Sequence, residues 1–152
     1  KMFKKTYLII FCLLIFNSCG YTPIYKGMIN ANFKIIVNEI RGDRDIGNFI
    51  KSNLNRYEVI DSEKIFRINV SSNYSKNSIA KDTTGKTTEY QLKLISIFEV
   101  NNKEIIKEIK ITETFNMKSK DNKFEESEYE TILKENLVSS VVQKLLLQLN
   151  RL

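Results

Sequence analysis

Histidine and tryptophan are missing from this 152-residue chain. Without histidine it lacks the side chain that most readily moves protons near neutrality and most often ligates metals. Beyond the apolar start there is no HxxxH, CxxC, GxSxG, P-loop or Gly-rich dinucleotide pattern, and no acidic run has calcium-binding spacing. Asp43/Asp45 and Asp61/Glu63 are carboxylate pairs spaced by two. At element ends such pairs act as helix caps or solvated turns rather than as acid and base. The chain is therefore expected to be no enzyme, with no catalytic residue, metal ligand or cofactor. Charge of one sign is also scarce. The formal charge of +6 includes Lys1, Lys4 and Lys5, so the remainder carries about +3, with both signs interspersed. That balance gives solubility without a nucleic-acid footprint, and the strand at 65–74 lacks the paired aromatics of an RNA-binding sheet. No nucleic-acid partner is expected.

One long hydrophobic run is present. Tyr7 to Phe16 (YLIIFCLLIF) is unbroken, follows the three lysines and leads through Asn17 and Ser18 to Cys19. Basic-then-apolar order is that of a secretory signal, and ten residues are too few to cross ~30 Å of hydrocarbon as a helix. FNSC at 16–19 resembles the bacterial lipobox, with Phe16 where leucine is usual. Residues 1–18 are thus expected to be a lipoprotein signal peptide and Cys19 the lipidation site. Cys12 would leave with the signal, so no disulfide could form within the mature chain. Two or three acyl chains on Cys19 would give stable anchoring, each buried methylene contributing about 0.8 kcal/mol.

The 134 residues from Cys19 onward suffice for one two-layered domain. Residues 19–32 hold the sole proline and two of the five glycines without a sustained period, and read as a lipidated tether. Residues 33–152 form the domain. Phe33–Ile40 is rich in β-branched residues and predicts a strand. Ile46, Phe49, Ile50, Leu54 and Tyr57 recur at helical spacing behind Asp43 and Asp45, predicting a helix over 45–57, weakened by Gly47. Residues 65–74 alternate, with Phe66, Ile68 and Val70 inward. Ser75–Thr84 reads as a polar loop. Glu89–Val100 and Lys103–Met117 predict a hairpin turning at Asn101-Asn102, with Tyr90, Leu92, Leu94 and Phe98 on one strand's apolar side and Ile105, Ile109, Ile111 and Phe115 on the other's. Ser127 and Glu130 have capping-box spacing before a terminal helix whose stripe runs through Tyr129, Ile132, Leu133, Leu137, Val141, Leu145 and Leu149. The fold class is α+β, in the order β-α-β-β-β-α. A parallel β-α-β unit joined to an antiparallel hairpin requires a mixed four-stranded sheet with both helices on one face. Ile36, Ile95, Ile97 and Ile106 then fall on the opposite face, which predicts partial cover by a partner.

Several stretches in this order resemble the LPS-assembly lipoprotein LptE family. They are CGYTPIY at 19–25, TTGKTTEYQLKLISIFEV at 83–100, TETFN at 112–116 and ESEYETILKENLVSSVVQKLL at 126–146. Ile24 stands where leucine is usual, and only Lys86 represents the family's basic residue before the long strand. The resemblance implies a non-enzymatic, lipid-anchored outer-membrane lipoprotein. It would plug and help assemble a large β-barrel translocon (LptD-like), facing the periplasm or the barrel lumen. It also implies contact with lipopolysaccharide through basic residues whose nearest matches are Lys81 and Lys86. The residues alone leave two alternatives open. The loop lysines could merely be solvated, with Asp82 partly cancelling them. The protein could also be a generic envelope lipoprotein, acting as a ligand-binding module or an assembly scaffold.

Overall fold

The computed structural model describes residues 33–56, 62, 64–103 and 105–152. The signal segment, Cys19 and the tether lie outside the described residues, as do Tyr57, Asp61 and Glu63. Six elements follow in the expected order: β1 (Lys34–Gly42), α1 (Arg44–Asn55), β2 (Ile65–Lys81), β3 (Thr87–Asn102), β4 (Ile105–Lys118) and α2 (Lys123–Leu149). The strands lie side by side as β1-β2-β3-β4. β1 and β2 are parallel, and the two later pairings are antiparallel. This is the mixed α+β sheet that the parallel unit and the hairpin together demanded.

Strand register decides which residues meet the helices. Ile35 pairs with Phe66, Val37 with Ile68 and Ile40 with Val70. Ile68 and Val70 in turn face Val100 and Phe98, and Phe98 faces Ile109. Of these, Ile35, Phe66, Ile68, Val70, Phe98, Val100 and Ile109 are buried. Phe33 closes this end edge-to-face on Phe66, with ring centroids 5.3 Å apart. From α1, Ile46, Ile50 and Leu54 are buried, and from α2 so are Leu133, Leu137, Val138, Val141, Val142, Leu145, Leu146 and Leu149. α2 packs chiefly on β4 and α1, while α1 packs on β1 and β2. Both helices thus cover the same face.

Local chemistry explains the joint between β1 and α1. The Asp43 carboxylate caps α1, accepting from the Ile46 N–H at 3.0 Å. Gly42 has φ +85°, and a side chain there would collide with the Ser72 carbonyl, which already accepts from the Asp43 N–H at 2.9 Å. Gly47, which propensity alone marks as a weakness, is buried against the Ile40 side chain. Glycine there gives up helix propensity for a close helix–strand approach.

Five expectations are corrected. The stretch 75–81 is not loop but the second half of β2, paired from Ser75↔Lys93 to Lys81↔Thr87. Its lack of apolar residues hid it, because its helix-facing side meets charged groups. The β3–β4 turn falls two residues later, since Asn102 pairs with Ile105; Asn101 and Asn102 belong to the strand. Ser127 and Glu130 do not cap α2. The cap is Asn122, whose side chain accepts from the Phe124 and Glu125 N–H groups, and the helix begins a full turn earlier. Ile132 is 55% exposed and so leaves the core stripe, and Phe115 at the sheet edge is 43% exposed.

The opposite sheet face is largely polar. Ile95 lies between Asn73 and Thr112, and Ile97 between Ser71 and Lys110. Ile36 and Ile106 end a row completed by Arg67 and Asn101. The four isoleucines therefore form no continuous apolar patch. Ile36, Ile95 and Ile97 are half-buried among polar neighbours, and only Ile106 is strongly exposed, at 84%.

Leu137→Asp and Val141→Asp should each unfold or severely weaken the domain, because each forces a charge into the helix–sheet core. Glu135→Ala, on the exposed side of α2, should alter stability by less than ~0.5 kcal/mol. Thermal unfolding of the three variants checks the assignment, and equal tolerance would remove the stripe from the core.

Candidate functional site

Beyond Ser72 the helix-facing side of β2 changes character. Tyr74 and Lys76 stand in the period-two positions that continue Phe66, Ile68 and Val70, and they pair with Leu94 and Leu92 of β3. Above them, Glu126 and Glu130 lie one turn apart on α2. The Lys76 ammonium donates to Glu126 Oε1 at 3.1 Å and to Glu130 Oε2 at 2.9 Å. The Tyr74 hydroxyl donates to Glu130 Oε1 at 2.8 Å. Glu126 Oε2 also accepts from the Ser119 hydroxyl at 2.8 Å and the Lys120 N–H at 3.0 Å. Lys123 reaches Glu126 at 3.3 Å and Lys134 reaches Glu130 at 3.4 Å. Aromatic faces complete the site: Lys76 lies 4.2 Å from the Tyr90 ring centroid and Lys134 lies 4.6 Å from that of Tyr74.

Glu126 is only 5% exposed. Burying a carboxylate is tolerable only when donors surround it. Burial pushes its pKa up, but the Lys120 N–H, the Ser119 hydroxyl and the ammonium groups of Lys76 and Lys123 outweigh this and hold it at about 2. Glu130 is opposed by burial too, yet Lys76 and Tyr74 hold it below the usual carboxylate range. Tyr74 moves upward, through burial and then through its bond to the Glu130 carboxylate. Such an arrangement offers no nucleophile and no free base. It clamps the start of α2 and the 119–122 loop onto the polar half of the sheet.

The β2–β3 turn adjoins this clamp. The Asp82 carboxylate accepts from the Thr84 N–H at 2.8 Å, the Thr84 hydroxyl at 2.7 Å and the Lys86 N–H at 3.0 Å. Gly85 supplies the required positive φ of 83°. Asp82 therefore shapes the turn in addition to offsetting charge. Lys86 pairs with Asp121 of the β4–α2 loop at 2.7 Å, tying the two loops together. Lys81 ends β2, is exposed, and has no ion pair among the described residues. The sequence-predicted lysines thus flank one turn, and they differ: Lys86 is ion-paired and Lys81, among the described residues, is not. The clamp itself was missed in the sequence. Its signal was polar residues kept in phase with both core periods, Tyr74 and Lys76 at spacing two and Glu126 and Glu130 at spacing four before Leu133 and Leu137.

A polar cleft of about 370 Å³ opens between the helices, lined in part by Phe49 and Asn53 of α1, by Arg56 just after it, and by Glu135, Asn136 and Ser139 of α2. Among the described residues no group of three or more acidic or sulfur side chains could hold a metal ion, and no helix is long and apolar enough to cross a membrane.

Comparison of the fold with solved structures finds rare lipoprotein B from Shewanella oneidensis. The alignment covers 78% of this chain and 94% of that one, with TM-score 0.60 and 13% identity. A minor lipoprotein from Acinetobacter baumannii aligns over 78% of this chain and 92% of its own, with TM-score 0.57 and 16% identity. Lipoprotein B from Nitrosomonas europaea aligns over 80% and 85%, with TM-score 0.51 and 16% identity. The chain has the fold of these small bacterial lipoproteins. At such identities the likeness is one of architecture. No family model matches the sequence, and no curated protein does.

The clamp predicts acid sensitivity of a definite sign. Glu126 has a folded pKa of about 2 against an ordinary value of 4.5. Its stabilisation is therefore complete above the ordinary value and is lost as pH falls toward 2. Relaxation and water penetration around the half-buried partners weaken the effect, so the loss should be on the order of 2 kcal/mol rather than the full linkage value. Denaturant titrations between pH 7 and pH 3 should show Glu126→Gln less stable than wild type at neutrality, with the two curves converging in acid. Parallel curves would remove Glu126 from the pH dependence.

Proposed function

We propose that the mature chain is a non-enzymatic lipoprotein of the bacterial envelope, anchored through lipid on Cys19. The observation that carries this reading is the shared fold with solved lipoproteins, over nearly the whole length of those chains. The basic-apolar-cysteine order of residues 1–19 supports it independently. Within that class we assign the chain to the outer membrane, facing the periplasm or the lumen of a large β-barrel. There it plugs and helps assemble the lipopolysaccharide translocon and assists lipopolysaccharide insertion at the cell surface. The stretches similar to the LptE family support the assignment. So does a domain made rigid by internal ion pairs, with a mixed-charge surface that suits a hydrated lumen. A scaffold or binding module elsewhere in the envelope is the second reading, favoured by the polar cleft between the helices.

Mass spectrometry of the mature N-terminus should find Cys19 acylated, and Cys19→Ala should accumulate as uncleaved precursor or as soluble protein. An unmodified Cys19 in a chain cut elsewhere overturns the anchoring. After detergent extraction the protein should co-purify with a barrel several times its own mass; recovery without one favours the scaffold reading.

Lysines at the β2–β3 turn suit lipid phosphates, being compact point charges with no strict geometry. Lys81→Glu with Lys86→Glu should leave barrel co-purification and thermal stability near wild type, because the Lys86–Asp121 pair is solvent-exposed and contributes little. Lipopolysaccharide binding should fall at least tenfold, a loss of about 1.4 kcal/mol or more. Unchanged binding by the folded double variant removes this turn from lipid contact and leaves the plug assignment standing.

A further inference from the structure

The two edges of the sheet are protected differently. β1 is nine residues long, its register slips between Val37 and Glu39, and it ends at Gly42 with positive φ. A short, bulged edge resists pairing with another strand. β4 runs for fourteen residues, and its pairing with β3 is regular from Glu89↔Lys118 to Asn102↔Ile105. Every second residue of β4 therefore directs its N–H and C=O away from β3, along an edge that is regular and, among the described residues, unpaired. Its charges are ordered too. Glu108 and Lys110 are neighbours on the open face of the sheet, both exposed, with Ile106 just beyond them at 84% exposure.

We propose that β4 is a self-pairing edge, binding β4 of a second copy antiparallel to make one continuous eight-stranded sheet with both helix layers on one side. The register follows from charge. Keeping the helix layers together requires residues of like parity to face each other about a two-fold axis. A register centred on Lys107, Glu108, Lys110 or Glu113 sets that charge against itself. Centres at Ile111 or Thr112 oppose the charged residues only with neutral ones. The centre at Ile109 places Glu108 of each copy opposite Lys110 of the other, twice, and sets no like charges face to face. It also seats Ile106 beside Thr112 of the second copy, so the most exposed of the large hydrophobic side chains gains a neighbour. Opposite charges directly across an antiparallel pair are favourable and like charges unfavourable. Residues Ile105–Glu113 of both copies overlap in this arrangement.

Charge swapping tests the register with the mature protein in density-matched detergent, by sedimentation equilibrium at low salt. The wild type should self-associate reversibly into dimers. Lys110→Glu, which opposes two glutamates twice, should raise the dimer Kd at least tenfold. Glu108→Lys combined with Lys110→Glu should restore it. Both side chains are exposed, so thermal unfolding near the wild-type midpoint confirms that each variant is folded. Cysteines at 108 and 110 together should cross-link the two copies under oxidation, while cysteine at 108 alone should not, because its nearest mate is offset by two residues. A wild type that stays monomeric at about 100 μM, a level that detects even weak pairing, overturns the proposal. So does a double swap that fails to restore the dimer. A monomeric wild type whose Lys110→Glu variant loses barrel co-purification would instead give this edge to the barrel.

Discussion

A single long helix has to satisfy a sheet face that changes character along its length. At one end, where α1 shares the cover, that face is Phe66, Ile68, Val70, Phe98 and Val100, and it asks only for apolar volume. Toward the other end β2 offers Tyr74 and Lys76, and α2 answers with Glu126 and Glu130. The helix spans 27 residues, about 40 Å, so it has the reach to meet both demands at once. Its C-terminal half is held by area removed from water, and its N-terminal half by directed bonds to buried charge. The first is tolerant of side-chain shape within limits. The second weakens when one partner is lost, because the remaining charges stay partly buried with fewer partners.

This division gives each loop at the polar end a fixed place. Glu126 takes bonds from Ser119 and Lys120 and so pins the loop before α2. Asp121 of that loop reaches Lys86 across the β2–β3 turn. Loop and helix start are thereby held together, the turn is held by its own bonds to Asp82, and Lys81 stands beside it without an ion pair among the described residues. A cation presented by a rigid turn is better placed to meet an anionic lipid than one on a freely moving loop, since less entropy is lost on contact. The same rigidity suits a domain seated inside another protein, where loosely held surface would have to be ordered on docking.

How a segment was held decided whether it could be read in advance. The apolar strands and the C-terminal half of α2 were legible because burial imposes a period, two for Phe66–Ile68–Val70 and three to four for Leu133–Leu137–Val141. The second half of β2 obeys the same period but carries Tyr, Lys and Ser instead of Val and Ile, so composition marked it as loop. The start of α2 was misplaced for a related reason. Ser127 and Glu130 have the spacing of a cap, yet Glu130 is spent on Tyr74 and Lys76, and Asn122 does the capping. Gly47 looked like a defect because propensity knows nothing of Ile40. Among the candidate site residues, Lys81 and Lys86 were legible as charges in a polar stretch, but their inequality was not.

The sequence by itself determined the element order, the mixed sheet and most of the helix-facing apolar residues. Each of these is written in local pattern, as a period of two or of three to four. Only the tertiary structure decided that Lys76 would be half-buried against two glutamates fifty residues and more along the chain, and that Asp121 would engage Lys86 while Lys81 has no ion pair among the described residues. It also decided that β4 would be the straight edge and β1 the bulged one. These depend on which strands become neighbours and how a helix lies across them. No local period records such relations, because the energy that selects them comes from contacts between distant parts of the chain.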